Sequence, residues 1–217
     1  MDLRLKDKVV ICTASAAGLG KGIATEIARE GAKVIISSLN PERLRATQDE
    51  IEQATGNRPD AIICDVNSAH DIRTLVERTI EKHGDIWGLI NMCPGPKAGP
   101  FTAFSDEDWE NAFRTCLLSY VRTIRECLPS MKRLGGGCIL NSTSSSVRDC
   151  LDNLILSNTT RMGVVGMSKT LAKELGKDNI LVNVIGPGRI AAFLCSEANT
   201  YISGQTILVD GAMTGAY

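Results

Sequence analysis

The stretch Val9-Val10-Ile11-Cys12-Thr13-Ala14-Ser15-Ala16-Ala17-Gly18-Leu19-Gly20 decides the fold. Val9 to Cys12 are apolar and mostly β-branched, which reads as a buried strand. Gly18 and Gly20 then open a helix expected over 18–30 and stopped by Gly31. The small residues from Ala14 to Ala17 let a ligand approach the backbone. The free N–H groups and the dipole of a helix N-terminus favour a pyrophosphate at that point. Small residues also serve tight helix–strand packing, so the loop alone is a weak signal. Its place between a strand and a helix is what gives it meaning.

Outward from this unit the same alternation repeats. Strands are predicted at Val34–Ile36, Ala61–Cys64, Trp87–Ile90, Cys138–Leu140, Ile180–Ile185 and Ile207–Val209. Asn40-Pro41 caps a helix that ends near Thr55 at Gly56. Another helix runs to His83, with Gly84 in the αL cap position. A capping box at Ser105–Asp108 opens a long helix reaching about Arg133. Val164, Met167, Leu171 and Leu175 recur at helical spacing. Apolar strands alternating with helices imply an α/β fold: a doubly wound, parallel, seven-stranded sheet with helices on both faces. Residues 1–217 form a single domain. Its ligand belongs outside the carboxyl ends of the strands, at the switch point.

Composition excludes several classes. With 24 basic and 25 acidic residues, nothing suggests a nucleic-acid partner. No apolar run approaches the roughly 20 residues that span a bilayer, so no membrane partner is expected. The charged start has no h-region, so no signal peptide is expected. The 8 cysteines form no C-x-x-C pair, and 2 histidines show no ligand spacing, so no metal site is expected. A reduced, cytoplasmic protein is the expectation.

Thr13 to Gly20 resembles the T-G-x-x-x-G-x-G loop of short-chain dehydrogenases/reductases, with Ala14 in place of the first glycine. That alanine costs little if its φ stays negative. Further matches follow in order: Asp65-Val66, Asn91 with Met92-Cys93-Pro94 after it, Asn183 to Gly188, Gly204-Gln205 and Val209-Asp210-Gly211. The resemblance implies a Rossmann-type fold and hydride transfer between NADP (or NAD) and a small-molecule carbonyl or alcohol. It implies cofactor contacts from Thr13, Ser15, Ala17, Gly18, Leu19, Gly20, Ser38, Asp65, Val66, Asn91, Met92, Cys93, Arg161, Pro187, Gly188 and Ile190. Ser38 stands where NAD-preferring members carry Asp, which favours NADP, and Arg43 could reach a 2′-phosphate.

The family works with Ser, Tyr and Lys, and an Asn on the long helix. The resemblance places Ser144 at the serine, Ser157 at the tyrosine, Arg161 at the lysine and Cys116 at the asparagine. A serine alcohol is shorter and far less acidic than a phenol, whereas arginine keeps the charge. Losing a positioned general acid forfeits on the order of 10²–10⁴ in rate. None of Tyr120, Tyr201 and Tyr217 has Lys or Arg four residues later. Leu156 to Arg161 resembles a Leu-Ser-Asn-x-x-Arg subgroup labelled oxidoreductase or 3-oxoacyl carrier-protein reductase. After Ile190 the family's substrate lid is missing before Phe193. Either it is deleted, leaving the site open to water, or a mobile lid lies outside these residues; the low stability of lids favours the second. A homodimer or homotetramer is expected through the helices bearing Cys116, Leu117, Tyr120 and Ile124 and through 158–175. Besides the oxidoreductase reading stand a non-catalytic NAD(P) binder and a structural subunit.

Overall fold

The computed structural model describes residues 2–185 and 190–209. Pro187 and Gly188, and the Asp210-Gly211 match, lie outside the described residues. Seven parallel strands form one sheet: β1 (Val9–Cys12), β2 (Lys33–Ser38), β3 (Asp60–Ile63), β4 (Ile86–Asn91), β5 (Gly137–Ser142), β6 (Ile180–Ile185) and β7 (Thr206–Ile207). Their order is β3-β2-β1-β4-β5-β6-β7, so the direction of winding reverses between β1 and β4.

Side chains alternate across the sheet, and each face gains its own helices. Val10 and Cys12 point to the layer made by α1 (Gly18–Arg29) and α2 (Pro41–Thr55). Val9 and Ile11 point to the layer made by α3 (Ala69–His83) and, beyond it in the chain, the helices that follow β4 and β5. Burial of fully apolar strands on both faces is what a parallel sheet requires.

Local chemistry sets the helix ends. Asn40 accepts from Arg43 N at 2.9 Å with Pro41 in the first turn, and Gly56 closes α2 at φ 74°. Ser105 and Asp108 form the expected reciprocal capping box. Gly84 departs from expectation. Its φ is 87° but its ψ is −161°, outside the αL region, because the chain turns at once into β4. The long helix is also not continuous. It divides into α4 (Asp106–Phe113), a π-helical turn at Arg114–Leu118 and α5 (Ser119–Leu134). Such turns recur at functional sites, and this one carries Cys116. After β5, α6 (Ile155–Leu175) packs on β6, and the short α7 (Ala191–Leu194) packs against β5. Strand β7 is shorter than expected: only Thr206 and Ile207 pair with β6.

Candidate dinucleotide and catalytic site

The site lies at the carboxyl ends of β1 and β4, where the winding reverses. Thr13 fixes that junction. Its N–H donates to Ile90 O at 3.0 Å, its hydroxyl donates to Met92 O at 2.7 Å, and its oxygen accepts from Met92 N at 2.8 Å. Ser15 is fully buried and donates to Cys12 O at 2.7 Å. Both side chains expected to meet the cofactor therefore hold the loop in shape.

Ala14 overturns the low-cost expectation for its substitution. Its φ is +45°, in the left-handed region that favours glycine. Gly18 also has positive φ, at 54°, with open space where a Cβ would stand. Gly20 is constrained differently: a Cβ would come within 2.8 Å of Ser15 Cα and 3.1 Å of Met92 Sδ. Helix α1 thus sits hard against the loop. Its N-cap, Ala17, supplies no side-chain hydrogen bond, and its first turn carries no acid. The leading N–H groups of α1 are left for an anion.

A cavity of about 410 Å³ opens in front of this turn. Ala17, Leu19 and Gly20 form one wall, Ser38 and Arg43 a second, Asp65 and Val66 a third, and Met92 and Cys93 the last. Arg43 is exposed and has no acidic partner among the described residues. Asp65 Oδ1 accepts from Asn67 N at 2.9 Å, which braces the loop after β3. Asn91 does not face the cavity. It is fully buried, donates to Asn141 Oδ1 at 2.9 Å and accepts from the Thr123 hydroxyl at 2.5 Å. Asn141 in turn donates to Ser168 Oγ at 2.9 Å. This chain joins β4, β5, α5 and α6 beneath the site. Only Asn91 of its members was expected from sequence; Thr123, Asn141 and Ser168 had no motif to mark them. Ile190 packs on the core.

The catalytic positions have a geometry of their own. Ser144 is half-buried and accepts from Ser146 N at 3.2 Å, capping a short 3-10 turn at Ser145–Val147. Ser157 and Arg161 lie one turn apart on α6, both buried. Arg161 Nη1 donates to Ser142 O at 3.0 Å and lies 3.2 Å from the Tyr120 hydroxyl, while its Nε has no partner. Tyr120 donates to the same Ser142 carbonyl at 2.8 Å. Cys93 from the β4 loop and Cys116 from the π-helical turn complete the cluster. Hydrogen bonding with Cys116 and the charge of Arg161 bring the Cys93 thiol down to about 6, against the opposing effect of burial. The thiolate beside it, with burial, pushes Cys116 up. Burial works against the Arg161 charge, but Tyr120 and the two thiols outweigh it and hold the guanidinium ionised.

The sequence matches the short chain dehydrogenase family over residues 8–201. The chain belongs to that family. It is 28% identical over 247 aligned positions to a 3-oxoacyl-[acyl-carrier-protein] reductase of Thermotoga maritima, covering 97% of this chain and 99% of the relative. The structure of L-sorbose reductase from Gluconobacter frateurii, complexed with NADPH and L-sorbose, superposes with a TM-score of 0.94 at 26% identity, covering 100% of both chains. That of a 7α-hydroxysteroid dehydrogenase complexed with NADH and 7-oxo glycochenodeoxycholic acid gives 0.90 at 28% identity, covering 97% of this chain and 95% of the other. By family the chain is an NAD(P)-dependent oxidoreductase with a Rossmann-type fold, and its substrate is a small molecule. The expected fold is borne out in strand number, parallel pairing and placement of helices on both faces. No helix among the described residues is long and apolar enough to cross a membrane.

Proposed function

We propose that this chain binds NADP(H) at the α1 turn and transfers hydride to or from a carbonyl or alcohol in a site with altered proton delivery. The observation that carries the reading is the uncapped N-terminus of α1, closed against the loop by Gly20 and facing the cavity at the switch point. The residues present fit a dinucleotide. Backbone N–H groups at Gly18 to Gly20 would hold the pyrophosphate, Asp65 and Val66 the adenine, and Ser38 with the exposed Arg43 the 2′-phosphate. NAD, with a free 2′-hydroxyl, finds no acid at the end of β2 to bind it. The nicotinamide, when bound, supplies or accepts the hydride.

Ser144 polarises the substrate oxygen. Ser157 is too short to deliver a proton where a tyrosine would, so a water held by Ser157 carries it. Arg161 keeps positive charge below the site and favours an oxyanion. Its inward hydrogen bonds to Ser142 and its burial favour a second reading, a cofactor binder without turnover.

Three further assignments belong to this proposal. The lid between Ile190 and Phe193 is deleted: the chain passes from Ile190 directly into α7, and the alignment with the Thermotoga relative is longer than the 217 residues of this chain. The protein assembles as a homodimer or homotetramer. The expected contacts Cys116, Tyr120 and Ile124 are buried within the chain, so the exposed Phe113 and Met162 support this instead. A cytoplasmic setting is supported by 8 free thiols.

Fluorescence titration with NADPH and NADH tests the first claim; absence of saturable binding by either defeats it. A carbonyl screen for NADPH oxidation, run beside Ser157→Tyr/Arg161→Lys, tests the second. Turnover by the wild type supports the oxidoreductase. Binding without turnover in the wild type, with activity gained by the double variant, establishes the non-catalytic reading.

A further inference from the structure

Cys93, Cys116 and Arg161 are built as a unit, and the hydride-transfer reading uses neither thiol as a reactive group. Cys93 is partly exposed on the wall of the cofactor cavity. Cys116 is fully buried, and it is the largest influence on the Cys93 thiol. Cys116 is held by the π-helical turn, with Sγ 3.8 Å from Pro94 O, so both cysteines stand at the same loop. Arg161 is 7% exposed and leaves Nε without a partner, a buried cation with capacity for an adjacent anion. The thiolate is the nucleophilic form of cysteine, and a buried guanidinium favours it.

We infer that Cys93 and Cys116 form a peroxide-reactive thiol pair, Cys93 attacking and Cys116 resolving, whose oxidation competes with dinucleotide binding in the same cavity. In the first step the Cys93 thiolate attacks one oxygen of hydrogen peroxide. The O–O bond breaks, hydroxide leaves, and sulfur is oxidised to the sulfenic acid as peroxide is reduced. In the second step the Cys116 thiol attacks that sulfur. An S–S bond forms, the S–O bond breaks, and the hydroxyl leaves as water with the Cys116 proton. A dithiol reductant reverses the sequence by exchange.

The cofactor part rests on the dinucleotide reading above, because Met92 and Cys93 wall the cavity proposed for it. A ligand filling that cavity covers the thiol. A disulfide there pulls the Cys93 loop towards the π-helical turn and reshapes the wall.

Cys150 supplies an internal comparison, since it is the exposed free thiol of the described residues. The experiment treats the reduced full-length protein with hydrogen peroxide, with and without NADPH, and follows each cysteine by dimedone labelling and peptide mass. The expected result is that Cys93 reacts before Cys150 and that the wild type loses two hydrogens between the Cys93 and Cys116 peptides. Cys116→Ser accumulates a dimedone-reactive Cys93, and Cys93→Ser leaves Cys116 unreacted. Arg161→Met lowers the thiolate fraction and slows Cys93 by about three-fold or more at neutral pH. Reaction of Cys150 ahead of Cys93, or a Cys93 sulfenic acid in the wild type that never passes to Cys116, overturns the pair. NADPH is expected to protect Cys93. Oxidation of the pair at an unchanged rate under NADPH that titration shows to be bound overturns the competition alone. Failure of NADPH to bind in that titration overturns the dinucleotide reading and leaves the thiol chemistry standing on its own result.

Discussion

Arg161 and Tyr120 share one acceptor: Nη1 of the arginine donates to Ser142 O at 3.0 Å, and the phenol donates to it at 2.8 Å. A tyrosine therefore does stand beside the cation of this site, although no local spacing in the sequence links the two. It is turned inward. Tyr120 is 1% exposed, and burial pushes its hydroxyl up, away from the range of a useful acid. It braces the end of β5 and is not a substitute for the missing family tyrosine.

Tyr120→Phe tests that assignment. The variant loses two buried hydrogen bonds, the phenol's to Ser142 O and that of Arg161 to the phenol, while Arg161 still satisfies the Ser142 carbonyl. The expected cost is about 1–2 kcal/mol of stability, with NADPH affinity unchanged. Denaturant unfolding and a fluorescence titration read the two quantities. A large loss of affinity with little change in stability would move Tyr120 into the binding machinery.

Ala14 offers a stabilising change. At φ +45° an L-residue is strained by about 1–2 kcal/mol, which glycine does not suffer, although glycine costs more entropy on folding. Ala14→Gly is expected to gain about 0.5–1 kcal/mol net. For a chain of this size that raises Tm by about 2–4 °C for each kcal/mol gained. A calorimetric Tm at or below that of the wild type refutes the strain. The position lines the cavity, so the variant also tells whether the loop is held in its binding shape by strain or in spite of it.

The fold was legible because parallel strands are apolar on both faces and carry their own punctuation. Val9 to Cys12, Asn40-Pro41 and Gly56 act locally, and the structure keeps each in place. Gly84 was not legible in detail, since its ψ is set by the distance to β4 and not by its neighbours in sequence. The π-helical turn at Arg114–Leu118 left no signal, because its residues suit an ordinary helix equally well. The site divides in the same way. The glycine turn is a property of one segment and could be read. Thr13, Ser15 and Asn91 match motif positions, yet their side chains are consumed by partners on other strands, 79 residues away for Thr13 and Met92. The Cys93–Cys116–Arg161 cluster joins three elements distant in sequence, and only packing brings them together.

Cofactor choice turns on Arg43 and Ser38. Arg43→Glu replaces a cation at the cavity wall, without an acidic partner among the described residues, with an anion that would face a 2′-phosphate. NADPH affinity is expected to fall by about ten-fold or more, about 1.4 kcal/mol, while NADH affinity holds or rises. Paired titrations at one ionic strength measure this, since an exposed charge is screened by salt. Equal weakening for both cofactors would show that Arg43 acts on the shape of α2 and not on the phosphate.

The depressed Cys93 thiol predicts how stability depends on pH. Its folded value of about 6 lies below the ordinary 9.0, so the folded state prefers the thiolate more than the unfolded state does. That preference contributes stability in full above about pH 9 and loses it progressively as pH falls to about 6. Cys93→Ser has no such group. Under reducing conditions, the stability of wild type relative to Cys93→Ser is therefore expected to rise steadily between those limits and to be flat below the lower one. Cys116→Ser weakens the sulfur contact that is the largest cause of the shift, and it should displace the rise to higher pH. Arg161→Met should do the same by removing the charge. Urea unfolding at closely spaced pH values gives the curves. Parallel curves for wild type and Cys93→Ser across the whole window would mean that the thiol titrates normally and that Arg161 directs its field elsewhere.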